Sequence, residues 1–145
     1  MGRAEVFVDT SGLYALVDKR DTHHRAARDV CVALAREGRR LVLSDLVVAE
    51  GATLAKVRSG AHVALRVLDL IEQSVAFRVE HVDPARFEST KAYFRRHADH
   101  GYSFVDCSSF VLMRELRIRQ AVTTDGHFRE AGFEPLLDAR TATRL

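Results

Sequence analysis

The sequence predicts an α/β fold in which helices cover both faces of a mainly parallel sheet. Short apolar runs typical of buried strands alternate with longer amphipathic segments typical of helices along almost the whole chain. Acidic residues follow several of these runs directly or lie in the first turns of the helices after them. Since crossovers between parallel strands are right-handed, these acidic residues are expected at one edge of the sheet.

Length and composition indicate one domain spanning residues 1–145, long enough to bury a core without disulfide or metal staples. The net charge of +2 is too small to indicate a nucleic-acid partner by itself. The N-terminus leads directly into a strand-like run interrupted by Asp9, so we expect neither a signal peptide nor a membrane span, and a cytoplasmic location. Cys31 and Cys107 lie in apolar helical contexts without CxxC spacing, which favours buried thiols over zinc binding.

In the first half of the chain, the apolar runs and breakers predict strands at 5–8 and 39–44 and helices at 45–58 and 61–73. Asp9 ends the first strand, and an apolar pattern resumes at Leu13. A polar segment over 18–28 then leads into a helix through Cys31. The His23-His24 pair at its start is interpreted as a solvated helix start, because adjacent helical residues do not face the same point. Ser44 is the expected N-cap of the helix at 45–58.

In the second half, the same signals predict strands at 75–79 and 120–124, helices at 84–97 and 103–116, and a short edge strand within 133–137. Asp83-Pro84 is a strong helix start, with Asp as N-cap and Pro at the first helical position. Pro135 favours an edge strand or a turn in the tail. Asp125 follows the strand at 120–124 directly.

The helix at 103–116 carries an acidic residue, Asp106, among apolar residues that cover nearly every direction around it. An isolated ionised carboxylate there must neutralise, find hydrogen-bond donors or meet a cation. Ser103 and Asp106 also match a capping box, which is the alternative explanation. Ser109 lies on the same helical face as Asp106.

Four acidic residues, Asp9, Glu50, Asp106 and Asp125, are therefore expected to converge. Asp9 is open to the alternative of a helix N-cap, and Glu50 to that of an exposed helix edge, although its apolar neighbours favour an inward-facing carboxylate. Converging carboxylates repel one another unless a divalent cation binds them, and their oxygen ligands suit Mg²⁺ or Mn²⁺. Such a site suits hydrolysis of phosphodiesters.

At these motifs the sequence resembles the PIN-domain nucleases, and among them the VapC-type toxins of toxin–antitoxin pairs. The matching motifs are Val6-Phe7-Val8-Asp9-Thr10-Ser11-Gly12, Val48-Ala49-Glu50, Ser103-Phe104-Val105-Asp106 with Ser109, and Thr123-Thr124-Asp125-Gly126-His127-Phe128. The resemblance implies a three-layer α/β/α sandwich and a Mg²⁺- or Mn²⁺-dependent endoribonuclease acting on RNA.

The resemblance also implies roles for individual residues and for partners. It assigns Asp9, Glu50, Asp106 and Asp125 to metal binding and water activation, and Thr10, Ser11 and Ser109 to hydrogen bonds that support them. His127 is not assigned a catalytic role. Members of the toxin family usually form homodimers and are inhibited by a cognate antitoxin that fills the acidic groove with an approaching Arg.

Three other functions stay open at this point. One is a phosphohydrolase with a nucleophilic Asp9, although Thr10-Ser11 stands where its second Asp belongs and no lysine follows Lys91. The others are a PIN-domain RNA-processing factor outside a toxin system and an inactive RNA-binding or assembly domain.

Arginines are the candidate RNA contacts, with solvated helix faces as an equally open alternative. These are Arg36, Arg39, Arg40, Arg95, Arg96, Arg114, Arg117, Arg119, Arg140 and Arg144. Tyr102 is the aromatic residue expected nearest the acidic site, where it could stack on a base.

Overall fold

The computed structural model describes residues 4–137 of the chain. Residues 1–3 and 138–145, among them Arg140 and Arg144, lie outside the described residues. The elements in chain order are β1 Val6–Val8, α1 Thr10–Val17, α2 His24–Arg36, β2 Leu41–Ser44, α3 Asp45–Ser59, α4 Ala61–Gln73, β3 Phe77–Glu80, α5 Pro84–Arg96, α6 Phe104–Leu116, β4 Gln120–Val122, α7 His127–Glu130 and β5 Glu134–Pro135.

Five strands form one sheet in the order β3-β2-β1-β4-β5, and every adjacent pair is parallel. With the helices packed around it, this architecture confirms the predicted α/β/α fold. β1 lies at the centre, and its three residues are fully buried. Such a strand must be apolar throughout, as Val6-Phe7-Val8 is, because both of its faces contact helices.

Most of the predicted element boundaries agree with the structure to within one or two residues. The helix predicted at 61–73 is present with those bounds, and Ser44 caps α3 by accepting a hydrogen bond from the Val47 amide at 3.1 Å. The tail supplies only a two-residue edge strand, and the short helix α7 was not predicted. Cys31 and Cys107 are buried free thiols, as predicted. Within residues 4–137, no helix is long and apolar enough to cross a membrane.

The turn from β1 into α1 requires a glycine. A Cβ atom on Gly12 would lie 2.1 Å from the carbonyl oxygen of Val122 in β4, far inside van der Waals contact. The absence of a side chain therefore lets the first turn of α1 approach the backbone of β4. This close approach holds the residues that follow β1 beside the residues that follow β4.

The register of the sheet sets which chain positions meet at its carboxyl edge. Val8 at the end of β1 pairs with Val122 at the end of β4. Asp9 and Thr123 are the next residues of the two strands, so they are neighbours at this edge. α3 also begins here, directly after Ser44.

Candidate active site

A cavity of about 330 Å³ lies at the carboxyl edge of the sheet. Six of the seven residues predicted for the site line it: Asp9, Thr10, Ser11, Glu50, Asp106 and Asp125. Ser109, the seventh, is fully buried one helical turn beyond Asp106. A larger cavity of about 560 Å³ lies against α2 and is lined by no carboxylate, so it has no comparable chemistry.

Asp9 is the most deeply buried of the four acidic residues, with 4% of its surface exposed. Its Oδ2 atom accepts hydrogen bonds from Thr123 Oγ1 at 3.0 Å and from Ser11 Oγ at 3.3 Å. It occupies the N-cap position of α1 but makes no capping hydrogen bond through its side chain. The pKa of Asp9 is raised to about 7, mainly by burial and in smaller part by the charges of Asp106 and Asp125, against the hydrogen bonds that favour ionisation.

Asp106 has two structural roles at the start of α6. The predicted capping box is present: Ser103 Oγ accepts from the Asp106 amide, and Asp106 Oδ2 accepts from the Ser103 amide, each at 3.0 Å. The same side chain lines the cavity and is only 13% exposed. Burial raises its pKa, as does Asp125, while the Ser103 amide and His127 oppose the increase. Capping therefore does not withdraw this carboxylate from the cavity.

Asp125 and His127 face Asp106 from the segment after β4. Asp125 Oδ1 accepts a hydrogen bond from the His127 amide at 2.9 Å, which fixes the carboxylate against its own backbone. His127 Nδ1 lies 3.3 Å from Asp125 Oδ1 and 3.4 Å from Asp106 Oδ2. These are ion-pair distances, although neither contact has hydrogen-bond geometry. An oxygen of each carboxylate and a nitrogen of His127 lie within 4.8 Å of one another, close enough to hold one metal ion.

Glu50 and Tyr102 differ from their expected environments. Glu50 lines the cavity from α3 but is exposed, because Val47 and Gly51 occupy the buried face of that helix. Tyr102 is buried, and its ring packs edge-on against His127 at a centroid distance of 5.4 Å. The expectation that Tyr102 stacks on a base is therefore wrong, since its faces are covered by protein.

Three buried polar atoms at or near the cavity have no hydrogen-bond partner among residues 4–137. They are Thr10 Oγ1, Ser109 Oγ and His127 Nδ1. Buried polar groups are seldom left unpaired, and each such group needs an explanation. Thr10 lines the cavity and His127 Nδ1 faces two of its carboxylates, so a bound cation with its waters would offer partners to these two atoms.

A family model for the PIN domain matches residues 6–134. The chain belongs to the PIN-domain family. Two Mycobacterium tuberculosis sequences, from strains CDC 1551 and H37Rv, are each 37% identical to it over 128 residues, covering 88% of this chain and 95% of theirs. Both are named 23S rRNA-specific endonuclease VapC20.

A solved structure similar to this PIN domain is also that of Mycobacterium tuberculosis VapC20, described as a sarcin–ricin loop cleaving toxin. It has a TM-score of 0.79 and 35% identity, and the match covers 89% of this chain and 96% of VapC20. These similarities confirm the resemblance to VapC-type proteins and the fold predicted from it.

The residues of this PIN domain fit a hard divalent cation. Carboxylate oxygens dominate the lining of the cavity, and the PIN family generally uses a divalent metal. One carboxylate oxygen of Asp106 and one of Asp125 lie within 4.8 Å of each other, so a single ion would contact both.

Three residues important to the geometry were not among the predicted site residues. The resemblance assigns no role to Thr123, although its hydroxyl donates a hydrogen bond to Asp9. The resemblance assigns no catalytic role to His127, although its ring nitrogen faces two carboxylates. Arg58 was not among the candidate arginines, yet it lines the cavity. The available signal for Thr123 is its place directly after β4, as Asp9 is directly after β1.

Proposed function

We propose that this protein is a Mg²⁺- or Mn²⁺-dependent endoribonuclease and the toxin of a toxin–antitoxin pair. The observation that carries the proposal is the convergence of Asp9, Glu50, Asp106 and Asp125 on one cavity at the carboxyl edge of the sheet. Burial and mutual repulsion raise the pKa values of Asp9 and Asp106, so a positive charge bound beside them would stabilise the ionised set. Membership of the PIN family and similarity to VapC20 support this function.

Hydrolysis adds water across one P–O bond of the RNA backbone, leaving a phosphate on one product end and a hydroxyl on the other. When bound, the divalent cation supplies a water of lowered pKa and positive charge beside the phosphate. Asp9, Asp106 and Asp125 would hold the cation. Ser11 and Thr123 orient Asp9 through their hydroxyls, and the His127 amide orients Asp125. Glu50, the exposed member of the set, accepts the proton that the attacking water releases.

The substrate we propose is 23S rRNA at its sarcin–ricin loop. VapC20 is named a 23S rRNA-specific endonuclease, and its solved structure is described as that of a sarcin–ricin loop cleaving toxin. The similarity to this chain extends over nearly the full length of VapC20. The cavity is open and polar, which suits a nucleic-acid backbone better than an enclosed apolar ligand.

The remaining family properties are part of the same proposal. Residues 1–145 form a single PIN domain, the protein forms a homodimer, and a cognate antitoxin inhibits it by placing a basic group against the four carboxylates. A cytoplasmic location follows because the RNA substrate is there. A PIN-domain RNA-processing factor outside a toxin system is the second candidate, favoured only by the same cavity.

The test is cleavage of a synthetic hairpin with the sarcin–ricin loop sequence, and of total RNA, by purified protein with Mn²⁺ or Mg²⁺. We expect discrete fragments that vanish with EDTA and in the Asp9→Asn variant. Asp69→Asn is the matched control, because Asp69 is exposed on α4 and does not line the cavity.

The outcomes separate the candidate functions. Cleavage of the hairpin by wild type and Asp69→Asn alone supports the toxin-like endoribonuclease. Cleavage of other RNAs with the hairpin left intact favours the RNA-processing factor. Metal binding without any cleavage, from protein free of antitoxin, would contradict the nuclease proposal and leave an RNA-binding domain.

A further inference from the structure

A second polar depression adjoins the acidic cavity. Its volume is about 480 Å³, and it shares Tyr14, Asp21 and Arg58 with the acidic cavity. Asp18, Arg20, Thr22 and Ser59 complete its lining. The two depressions therefore form one continuous groove, with the four site carboxylates in one part and Arg20 and Arg58 beside Asp18 and Asp21 in the other.

Tyr14 is held rigidly at the junction of the two depressions. Its hydroxyl donates to Asp18 Oδ2 at 2.5 Å and also contacts Ser59 Oγ at 2.8 Å. Ser59 Oγ donates to the same Asp18 oxygen at 2.7 Å, and the Arg20 amide donates to Asp18 Oδ1 at 2.9 Å. These hydrogen bonds lower the pKa of Asp18, so its carboxylate stays ionised and keeps the tyrosine in place.

Arg58 lies over this fixed tyrosine in the last turn of α3. Its guanidinium carbon is 5.4 Å from the centre of the Tyr14 ring, which is within the range of a cation–π contact. Within residues 4–137 it makes no hydrogen bond or ion pair, although Asp21 and Glu50 line the same cavity. An arginine oriented by a ring and unpaired with a carboxylate keeps all its N–H donors available to a ligand.

We propose that Arg58 binds a phosphate of the RNA strand next to the scissile phosphate. The proposal rests on the endoribonuclease function above and adds the residue that guides the strand along the groove. Four carboxylates repel an RNA backbone, so the strand needs a positive group beside them to enter. A guanidinium is suited to this task because its planar fork donates two parallel hydrogen bonds to phosphate oxygens.

The test is single-turnover cleavage of the sarcin–ricin hairpin over a range of enzyme and NaCl concentrations, which gives the half-saturating enzyme concentration and the maximal rate. For Arg58→Ala we expect the half-saturating concentration to rise about tenfold or more, as for loss of a charged hydrogen bond, with little change in the maximal rate. The slope of log affinity against log salt should fall in magnitude by roughly 0.7 to 1, because one phosphate contact is lost.

Two further variants make the test specific. Arg58→Lys keeps the charge but loses the planar guanidinium fork. We therefore expect the salt slope of the wild type and an affinity between those of the wild type and Arg58→Ala. Arg66→Ala removes the same charge from the exposed side of α4, where Arg66 lines neither depression, and should leave affinity and slope unchanged. Thermal melting of each variant confirms that it is folded.

The possible results distinguish the two proposals. If the wild type cleaves the hairpin and Arg58→Ala matches it in affinity and salt slope, the role of Arg58 is overturned while the nuclease function stands. A fall in maximal rate alone would also overturn it, since that would place Arg58 in the chemical step. If the wild type cleaves no RNA, both proposals fail.

Discussion

Thr123 Oγ1 donates a hydrogen bond to Asp9 Oδ2 at 3.0 Å, although 114 residues separate the two in sequence. The pairing of Val8 with Val122 brings them together, because each residue directly follows its strand. The same hydroxyl accepts a hydrogen bond from the Asp125 amide at 3.0 Å. One threonine therefore orients two of the four acidic groups.

Replacing Thr123 with Val is expected to lower RNA cleavage about 10- to 100-fold, the usual cost of losing a partner that orients a metal-binding group. The measurement is kcat/KM on the sarcin–ricin hairpin, with Mn²⁺ affinity measured in parallel. Thr90→Val is the control, because Thr90 is equally buried and bonds the Arg86 carbonyl in α5, away from the cavity. Equal cleavage by the two variants would contradict the role of Thr123.

Asp9 should make the stability of the metal-free protein depend on pH. Its pKa is 3.8 in the unfolded chain and about 7 in the folded protein. Between these values the folded state holds a proton that the unfolded chain has released, so the free energy of unfolding falls as the pH rises from about 4 to about 7.

The Asp9→Asn variant lacks this ionisation, so in EDTA near pH 8 it should be more stable than the wild type, on the order of a few kcal/mol. The difference should shrink towards pH 4. Chemical denaturation at several pH values measures it, and added Mn²⁺ should stabilise the wild type far more than the variant. A difference that does not change with pH would mean that Asp9 is already ionised in the folded protein.

Sequence patterns are sufficient to predict the sheet, its helices except α7, and the convergence of four acidic groups. Two local signals make these predictions possible. The residues of β1 are apolar on both faces of the strand, so β1 must be central. Asp9 and Asp125 come soon after β1 and β4, so they lie at the carboxyl edge of the sheet. The capping box at Ser103 and Asp106 was also readable, because it depends on residues only three apart.

The unpredicted features depend on contacts between distant parts of the chain. The bond from Thr123 to Asp9 follows from strand register, which residue types alone do not specify. The position of His127 follows from α7, a helix of four residues that is too short to produce a periodic pattern. Glu50 is exposed because helix orientation, and not the apolar residues adjacent in sequence, decides burial.

The two roles of Asp106 can be separated by substitution. Asp106→Asn keeps a side-chain oxygen that can accept from the Ser103 amide, so the free energy of unfolding should change little, while cleavage should fall by about 100-fold or more. Ser103→Ala removes the other half of the capping box and should cost about 1 kcal/mol of stability. Its cleavage, measured well below its melting temperature, should stay near that of the wild type.

Chemical denaturation and cleavage assays on both variants check this separation. If Ser103→Ala loses activity as fully as Asp106→Asn, the cap itself would be needed to position the carboxylate. If Asp106→Asn retains activity, Asp106 would be a capping residue only.

Ser109 and Ser108 are adjacent buried serines of α6, and their hydroxyls differ in hydrogen bonding. Ser109 Oγ has no partner among residues 4–137, whereas Ser108 Oγ donates to the Val105 carbonyl at 2.6 Å. Ser109→Ala removes an unpaired buried group, so without metal the free energy of unfolding should stay constant or rise by about 1 kcal/mol. If the Ser109 hydroxyl supports the bound cation, Mn²⁺ affinity should fall about tenfold or more, whereas Ser108→Ala should leave it unchanged. Calorimetric titration measures the Mn²⁺ affinity of both variants. Equal affinity in the two would show that Ser109 does not support the metal site.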